Sequence, residues 1–210
     1  MESSAQSSIL SLTTLPLPEL RDRLLDLLCQ VAYREGDFAL SSGQTSNYYI
    51  NGKQVTLHPE GGVMVGRLLL EQVSDAAIAV AGLTLGADPI VTAVSIVGAY
   101  GDRAITPLIV RKEAKGHGTQ AYIEGPELPA GALVIVLEDV VTTGQSAWKA
   151  VERLRAAGYT VETVLALVDR QEGGSEFYAA KNLQFQALFT IADIKTRYAE
   201  LHALPGSQST

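Results

Sequence analysis

The sequence predicts an α/β protein with a doubly wound, mostly parallel sheet, helices on both faces of that sheet and a small N-terminal hood. Predicted strands alternate with predicted helices, and several strands are continuous apolar runs, as in strands that are buried on both faces. A chain of 210 residues is long enough for one good-sized core. Ligands of such sheets bind beyond the carboxyl ends of the strands, so the candidate sites are loops 82–88, 111–121, 138–146 and 169–174.

The first part of the chain predicts a loose segment, a helix, a hairpin and a second helix. We expect residues 1–14 to be flexible and an apolar stripe that begins at Pro18 to form a helix ending near Gly36. Two β-like runs, 38–41 and 47–51, flank a Ser-Gly turn. Two interpretations stay open for Tyr48 and Tyr49 in this hairpin, namely core residues or a half-exposed cover over a ligand. Residues 59–73 predict the next helix.

The segment 76–101 contains one charged residue, Asp88, and is long enough to span a bilayer. Gly82, Gly86 and the Asp88-Pro89 pair divide it, however. We therefore predict a buried strand at 78–81 and a buried helix at 89–100, with Asp88 as the N-cap and Pro89 as the first helical residue.

The second half continues the alternation of strands and helices. We predict that Gly158 follows the end of the helix after strand 132–137, as its C′ residue. The predicted strands are 105–110, 122–124, 132–137, 160–168 and 185–189, and the predicted helices are 147–157, 174–180 and 191–201. A single domain should thus span residues 15–204, with the hood at about 36–55 and a flexible tail at 205–210.

The composition narrows the functions that are possible. Apolar residues make up 47% of the chain and the formal net charge is −7. Because nucleic-acid binders usually carry basic surfaces, we expect no nucleic-acid partner. The Ser-rich N-terminus lacks early Lys or Arg, unlike a signal peptide, and the single cysteine, Cys29, is interpreted as a buried residue in a reducing compartment. We therefore expect a cytoplasmic protein without a membrane anchor.

The stretch 132–147 combines a buried strand, two acids and a loop that opens a helix. The N–H groups at a helix N-terminus bind anions, Thr142, Thr143 and Ser146 add hydroxyl donors, and Gly144 permits a close approach. It is not a Walker loop, because no lysine follows the glycine. Glu138 and Asp139 would repel a phosphate but would suit a sugar diol or a hydrated Mg²⁺, so a phosphorylated sugar is the predicted ligand. The alternative is that the two acids only cap the helix or are solvated.

A basic segment, 111–118, follows the strand at 105–110. It contains Arg111, Lys112, Lys115 and His117 beside one glutamate. Such a patch suits a pyrophosphate leaving group, whose negative charge grows in the transition state. A solvated charged loop is the alternative interpretation.

The pattern of an apolar run, two acids, two apolar residues and then T-T-G-x-S resembles the binding motif for 5-phospho-α-D-ribosyl 1-diphosphate (PRPP) in type I phosphoribosyltransferases. The resemblance implies the doubly wound fold with a variable hood. It also implies that the loop holds the 5′-phosphate and that the acids hold the 2′ and 3′ hydroxyls. The PRPP-binding residues implied in this way are Glu138, Asp139, Val140, Val141, Thr142, Thr143, Gly144, Gln145 and Ser146, together with Arg111, Lys112, Lys115 and His117.

Three further segments resemble the orotate phosphoribosyltransferase family, so that the resemblance runs from about residue 36 to residue 174. R-K-E-x-K-x-H-G resembles the family's catalytic loop, and the hairpin F-x-L-S-S-G-x-x-S-x-Y-Y resembles its hood. The segment D-R-Q-E-x-G implies that Arg170 faces the base, with Thr142 nearby, since a planar guanidinium matches the carboxylate of orotate.

This resemblance implies an enzyme that joins orotate to PRPP, giving orotidine 5′-monophosphate and pyrophosphate. Mg²⁺ would arrive with PRPP, and no metal site formed by protein side chains alone is expected. The implied assembly is a homodimer in which Lys112 acts across the interface. Two departures affect the expected contacts: Ser41 stands where many members have lysine, and loop 82–88 lacks lysine, so that backbone N–H groups of residues 84–88 would have to substitute. The remaining alternatives are a phosphoribosyltransferase for another base and a PRPP-sensing regulator.

Overall fold

The chain forms an N-terminal hairpin and one six-stranded sheet in the computed structural model, which describes residues 9–39, 45–114 and 122–203. The sheet order is β5-β4-β3-β6-β7-β8, and every neighbouring pair is parallel except β4 and β5. The predicted mostly parallel α/β class is confirmed. The antiparallel hairpin consists of β1 (Tyr33–Ala39) and β2 (Thr45–Ile50); the sheet consists of β3 (Ala79–Leu83), β4 (Thr106–Val110), β5 (Ile123–Glu124), β6 (Val134–Val141), β7 (Thr163–Asp169) and β8 (Gln184–Thr190).

Helices cover both faces of this sheet. The first helix continues from Leu28 to Ala32 as a π-helical segment. The helices are α1 (Leu17–Leu27), α2 (Lys53–Thr56), α3 (Pro59–Leu70), α4 (Asp88–Tyr100), α5 (Gln145–Ala156), α6 (Gly174–Ala179) and α7 (Ile191–His202). Among the described helices, none is long and apolar enough to cross a membrane.

The alternation of side chains along the central strands produces two apolar clusters, one on each face. On β6, Ile135 and Leu137 belong to the cluster with α1, α3, α4 and α7, whereas Val134 and Val136 belong to the cluster with α5 and α6. Burying a side chain of this size contributes about 1.5–3 kcal/mol. The end of β6 is therefore fixed from both sides.

The first helix ends earlier than the sequence predicts. The prediction places its end near Gly36, but Tyr33 is already extended and pairs with Ile50 across the hairpin. The completely buried Tyr33 ring packs edge-on against Tyr198 at 4.9 Å between centroids. This packing in the core, together with the hairpin pairing, overrides the helical pattern of the sequence.

Part of the stretch predicted to be flexible, residues 1–14, packs against the core. Residues 9–12 form a helical turn in which Leu12 is completely buried. The Leu12 carbonyl accepts a hydrogen bond of 2.6 Å from Nη1 of Arg67 on α3. The apolar Leu12 therefore belongs to the core of the protein.

Two boundaries near the candidate site differ from the predictions. Asp88 is the first residue of α4 and Ala87 is its N-cap, because Asp88 Oδ2 accepts a hydrogen bond from Thr84 Oγ1 at 2.7 Å, within the preceding loop. Strand β6 continues through Glu138 and Asp139 to Val141, since Glu138 pairs with Ala166 and Val140 with Val168 of β7. Gly158 follows α5 with a φ of +89°, as predicted for a C′ residue.

Candidate active site

The carboxyl ends of β3, β4, β6 and β7 lie at one edge of the sheet, and the loops that follow them meet there. Backbone hydrogen bonds join neighbouring loops to the adjacent strands. Thr84 N donates to Val110 O at 2.8 Å, and Arg170 N donates to Val141 O at 2.9 Å. The structure thus brings together the described parts of the four loops that the sequence singles out.

The turn between β6 and α5 requires glycine at position 144. Its φ is +84°, and a Cβ at this position would lie 2.8 Å from the Phe177 ring and 3.0 Å from Cζ of Tyr178. Among the described residues, no side chain caps the N-terminus of α5. The first N–H groups of this helix therefore remain available to an anion.

A small cavity of about 70 Å³ lies in front of this helix N-terminus. Such a volume, bordered by N–H groups and hydroxyls, suits a phosphate-sized anion. It is lined by Val140, Val141, Thr142, Thr143, Gly144, Gln145 and Ser146, and also by Glu138 and Tyr178.

Glu138 is a buried carboxylate at the edge of this cavity. Only 5% of its surface is exposed, and its Oε1 accepts a hydrogen bond from the N–H of Asp139 at 3.2 Å. Its Oε2 is buried without a hydrogen-bond partner among the described residues. Burial, and next the charge of Asp139, raises the pKa of Glu138 well above its ordinary value. An oxygen of this kind is ready to accept a hydrogen bond from a ligand hydroxyl.

Asp139 is held by several polar contacts and points toward the loop after β3. Its Oδ1 accepts from the N–H of Val140 at 2.9 Å, and its Oδ2 lies 3.7 Å from Nζ of Lys53 on α2. Gly86 approaches so closely that a Cβ there would lie 2.6 Å from Oδ1. The sequence did not indicate that Lys53 and Gly86 contact the acid pair, because both lie more than fifty residues from it along the chain.

The loop after β3 uses some of the N–H groups that were predicted to contact pyrophosphate. Thr84 N donates to Val110 O, and Ala87 N donates to Leu83 O at 3.4 Å. The N–H groups of Thr84 and Ala87 are therefore engaged within the protein, and the predicted contacts fall to the other N–H groups of this loop. The Thr84–Leu85 peptide is cis.

The basic segment begins directly after β4. Nη1 of Arg111 pairs with Oε1 of Glu124 at 3.1 Å, and Arg153 of α5 holds the segment by donating to the carbonyls of Arg111 and Lys112, the latter at 2.7 Å. Lys112 and Ser146 line a common cleft of about 400 Å³. Lys112 therefore shares this cleft with a residue of the phosphate loop. Lys115 and His117 lie outside the described residues.

Arg170 lies at the end of β7, in contact with the hairpin. Its Nη2 pairs with Oε1 of Glu172 at 2.8 Å, and its Nε donates to the hydroxyl of Tyr48 at 3.0 Å. The Tyr48 hydroxyl in turn donates to Glu172 at 3.1 Å, and its ring packs on the guanidinium at 4.9 Å. Burial chiefly raises the pKa of Tyr48. The hydroxyl therefore stays protonated and can donate.

The hairpin places its two tyrosines in different environments. Tyr48 is 8% exposed and points toward Arg170, whereas Tyr49 is 45% exposed and packs near Phe38. Tyr48 is therefore buried, as in the first of the two interpretations, and Tyr49 is half-exposed; its role as a cover over a ligand stays a prediction. Ser41 lies outside the described residues.

This combination of fold and site defines a class. A parallel sheet with an acid pair at the end of a central strand, directly before a T-T-G loop and an uncapped helix N-terminus, is the arrangement of a type I phosphoribosyltransferase.

Comparisons with known proteins agree with this class. The chain is 67% identical over 200 residues to an orotate phosphoribosyltransferase of Nostoc sp., covering 95% of this chain and 97% of the relative. It is 63% identical over 193 residues to that of Synechocystis sp., covering 92% and 98%. A scan against models of protein families gave no match.

Solved structures give the same result. The crystal structure of Mycobacterium tuberculosis orotate phosphoribosyltransferase with Fe(III) dicitrate aligns with a TM-score of 0.75 and 38% identity, covering 83% of this chain and 98% of that one. The complex of the same enzyme with PRPP aligns with a TM-score of 0.71 and 34% identity, covering 84% and 99%. The chain belongs to the orotate phosphoribosyltransferase family. It is accordingly a pentosyltransferase of pyrimidine biosynthesis.

Proposed function

We propose that the cavity at residues 138–146 binds the ribose 5-phosphate part of PRPP and that Arg170 presents orotate to it. N1 of orotate attacks C1′ while pyrophosphate leaves, through an oxocarbenium-like sugar. The observation that carries the assignment is the shared cavity. In it, a helix N-terminus and a buried carboxyl oxygen face each other, and within the described part of the chain neither has a side-chain partner. The solved PRPP complex of a relative supports PRPP as the ligand.

The two ends of this cavity suit the two ends of the sugar phosphate. Residues Thr142 to Ser146 hold the 5′-phosphate through backbone N–H groups and hydroxyls. Glu138 and Asp139 accept hydrogen bonds from the 2′ and 3′ hydroxyls, which removes the cost of leaving Oε2 of Glu138 unpaired. Thr142, at the start of the loop, also borders the place of the base.

The donor set is compatible with Mg²⁺ that arrives on PRPP. The described residues contain no group of three or more side chains that could hold a metal ion by themselves. Mg²⁺ keeps most of its water and phosphate ligands and needs only one or two carboxylates, which Asp139 and Glu138 can supply directly or through water. When bound, the ion supplies charge neutralisation to the leaving pyrophosphate.

Arg170 is proposed to bind the orotate carboxylate. A guanidinium has five N–H donors, and the contacts with Tyr48 and Glu172 leave others for a ligand. Glu172 already shows that a carboxylate fits this guanidinium at 2.8 Å. Because Tyr48 belongs to the hairpin, it links the hood to the residue that selects the base.

The leaving group is proposed to meet the basic segment. Arg111, Lys112, Lys115 and His117 would close on the pyrophosphate as its negative charge grows. Lys112 supports this role by lining the same cleft as Ser146. Arg111 would exchange its half-exposed pairing with Glu124, a type of contact that costs little to break.

A homodimer is proposed, with an exposed apolar face between α3 and α4 as its interface. This face carries Leu57, Leu85 and Ile96, of which Leu57 is 70% and Leu85 67% exposed, around a groove of about 640 Å³. A face of this kind on one chain suits a second copy of the same chain, because a two-fold interface uses the same patch twice. Leu85 connects this apolar face to the loop after β3.

The cytoplasmic location and the residue limits of the domain stay predictions.

The base specificity is tested by following the ultraviolet absorbance of orotate in the presence of the protein, PRPP and Mg²⁺. We expect orotate to be consumed only when PRPP is present, and adenine and hypoxanthine to be left unchanged.

The role of Arg170 is tested by the variant Arg170→Ala. Its KM for orotate should rise by about tenfold or more, because charge-assisted hydrogen bonds contribute about 1.5–3 kcal/mol. An unchanged KM would refute the role of Arg170.

Mixing two weakened variants, assayed at orotate concentrations well below the wild-type KM, tests whether Lys112 acts across the interface. In a mixed dimer of Lys112→Ala and Arg170→Ala, one site would combine an intact Arg170 with the partner chain's intact lysine. Random pairing should then restore about a quarter of the wild-type activity, since half of the dimers are mixed and each has one complete site. If Lys112 acts within its own chain, mixing restores no activity.

The proposed interface is tested separately with Ile96→Glu. Light scattering should show that this variant is a monomer.

A further inference from the structure

A buried tyrosine lies beneath the proposed phosphate site. Tyr178 of α6 is completely buried, and its hydroxyl has no hydrogen-bond partner among the described residues. An unpaired buried hydroxyl costs about 1–3 kcal/mol. A purely structural phenylalanine would avoid this cost while filling the same space.

The geometry directs the hydroxyl end of this ring toward the phosphate loop. A Cβ added to Gly144 would lie 3.0 Å from Cζ, the carbon that bears the hydroxyl, and 3.2 Å from Cε1. Tyr178 also lines the cavity, together with Ser146 and Glu138. Thus the polar end of the ring lies under the turn that leads into α5.

The chemistry of the surrounding groups indicates a donor. Burial, followed by the negative charges of Glu138 and Asp169, raises the pKa of Tyr178, so that the phenol keeps its proton at neutral pH. A protonated phenol without a partner donates readily to an anionic oxygen, and hydrogen bonds to charged groups are the stronger ones.

We propose that Tyr178 is a further substrate-binding residue, whose hydroxyl donates a hydrogen bond to an oxygen of the 5′-phosphate held by the loop 142–146. This assignment rests on the proposed phosphate site. It adds a side-chain donor from α6, outside the contiguous motif. The bond forms on binding and satisfies a hydroxyl group that has no partner among the residues that the structure describes.

The test is Tyr178→Phe, with binding of inorganic phosphate and of PRPP measured by calorimetry. We expect the Kd for both ligands and the KM for PRPP to rise about tenfold, with kcat and the KM for orotate near wild type. Unfolding by urea should show the free variant to be as stable as wild type or more so, since no hydrogen bond is lost. An unchanged phosphate affinity, or a loss of stability with affinity retained, overturns the proposal.

Tyr159→Phe is a matched control. Tyr159 is also buried, but its hydroxyl accepts from the N–H of Leu128 at 3.4 Å, and it lies beyond the far end of α5. A helix of 12 residues spans about 18 Å. This variant should lose stability and keep its phosphate affinity, which is the reverse of the result expected for Tyr178→Phe.

Two further measurements separate the possible failures. If wild type binds no phosphate and Ser146→Ala leaves the Kd for PRPP unchanged, the proposed site itself is wrong. If wild type binds phosphate and Tyr178→Phe binds it equally well, only the role of the tyrosine is wrong. Should Tyr178→Phe not fold, the wild-type protein is labelled with ¹³C at the tyrosine Cζ atoms and studied by NMR. The Tyr178 signal must then shift on addition of phosphate, and the absence of a shift overturns the proposal.

Discussion

The two halves of the proposed active site are built in different ways. The ribose-phosphate half is one contiguous stretch, residues 138–146, that begins inside a strand buried on both faces and continues into a helix. The half that meets the base and pyrophosphate is assembled from separate segments. Tyr48 and Arg170, which form a hydrogen bond at its centre, are 122 residues apart in the chain.

The way each half is held differs as well. Backbone ladder bonds to β7 and the glycine turn fix the ribose-phosphate half. Side-chain contacts hold the other half, namely Arg153 to the carbonyls of the basic segment and Tyr48 to Arg170. The ribose 5-phosphate is common to substrate and product, whereas the base enters and the pyrophosphate leaves. In the proposed site, the rigidly held residues thus bind the ribose 5-phosphate, and the residues held by side-chain contacts bind the base and the pyrophosphate.

The strongest test of this contrast is Lys112→Ala. If the basic segment acts mainly in the transition state, kcat should fall by about 10²–10³, as for the loss of one charge-stabilising donor, while the Kd for inorganic phosphate stays near wild type. Steady-state kinetics and calorimetry provide the two numbers. Lys181→Ala is the control, because it removes an exposed lysine that follows α6 and lies over the rings of Trp148 and Phe177, away from the basic segment. Near-normal turnover of Lys112→Ala would count against the proposed mechanism.

Gly144→Ala tests the rigidity of the other half. The left-handed backbone costs any other residue about 1–2 kcal/mol, and the clash with the Phe177 and Tyr178 rings adds to this cost. Gly158→Ala is a matched control, because φ is +89° there and nothing lies within 4 Å of the added Cβ. Urea unfolding should show a greater loss of stability for Gly144→Ala, and only this variant should lose PRPP affinity. Equal losses would mean that the rings yield and that the turn is not rigidly fixed.

This same contrast explains what the sequence could predict. The acid pair and the T-T-G loop are adjacent in the chain, so their pattern was sufficient to locate the cavity that the structure shows. The contacts of Lys53 with Asp139 and of Tyr48 with Arg170 depend on how distant segments pack, and no local pattern encodes them. The strand continues through the acids because pairing with β7 extends past Glu138, which a boundary drawn at the first polar residue misses. Tyr178 gave no signal, since an apolar pattern does not distinguish a tyrosine in the core from one beneath a ligand.

The pH dependence of the stability of Glu138→Gln tests how the ribose-phosphate half is held. Because the folded protein raises the pKa of Glu138, the native state holds a proton that the unfolded chain releases above about pH 4.5, the ordinary value. The contribution of Glu138 to stability is thus present below pH 4.5 and is lost as the pH rises through the folded pKa. Glutamine resembles the protonated form, so the variant should be more stable than wild type at high pH and equal to it near pH 4.

Urea unfolding at several pH values measures this effect. PRPP binding should weaken in Glu138→Gln, because the amide has one acceptor oxygen where the carboxyl group has two oxygens for the ribose hydroxyls. Glu162→Gln, at an exposed carboxylate, controls for the amide substitution itself. A variant that is less stable than wild type at high pH would show that the ionised carboxylate stabilises the fold, which would contradict the raised pKa of Glu138.

Tyr48→Phe should have the smallest effect, confined to the base. The change removes the hydroxyl that bonds Arg170 and Glu172 but keeps the ring, which lies 4.9 Å from the Arg170 guanidinium and 4.5 Å from Nζ of Lys195. The loss of one such hydrogen bond corresponds to about 1 kcal/mol, or roughly a fivefold rise in the KM for orotate. The KM for PRPP should stay unchanged, because Tyr48 belongs to the half that exchanges its contacts. Tyr49→Phe, on the exposed side of the hairpin, is the control. A rise in the KM for PRPP with no change for orotate would show that the hood serves the ribose-phosphate half instead.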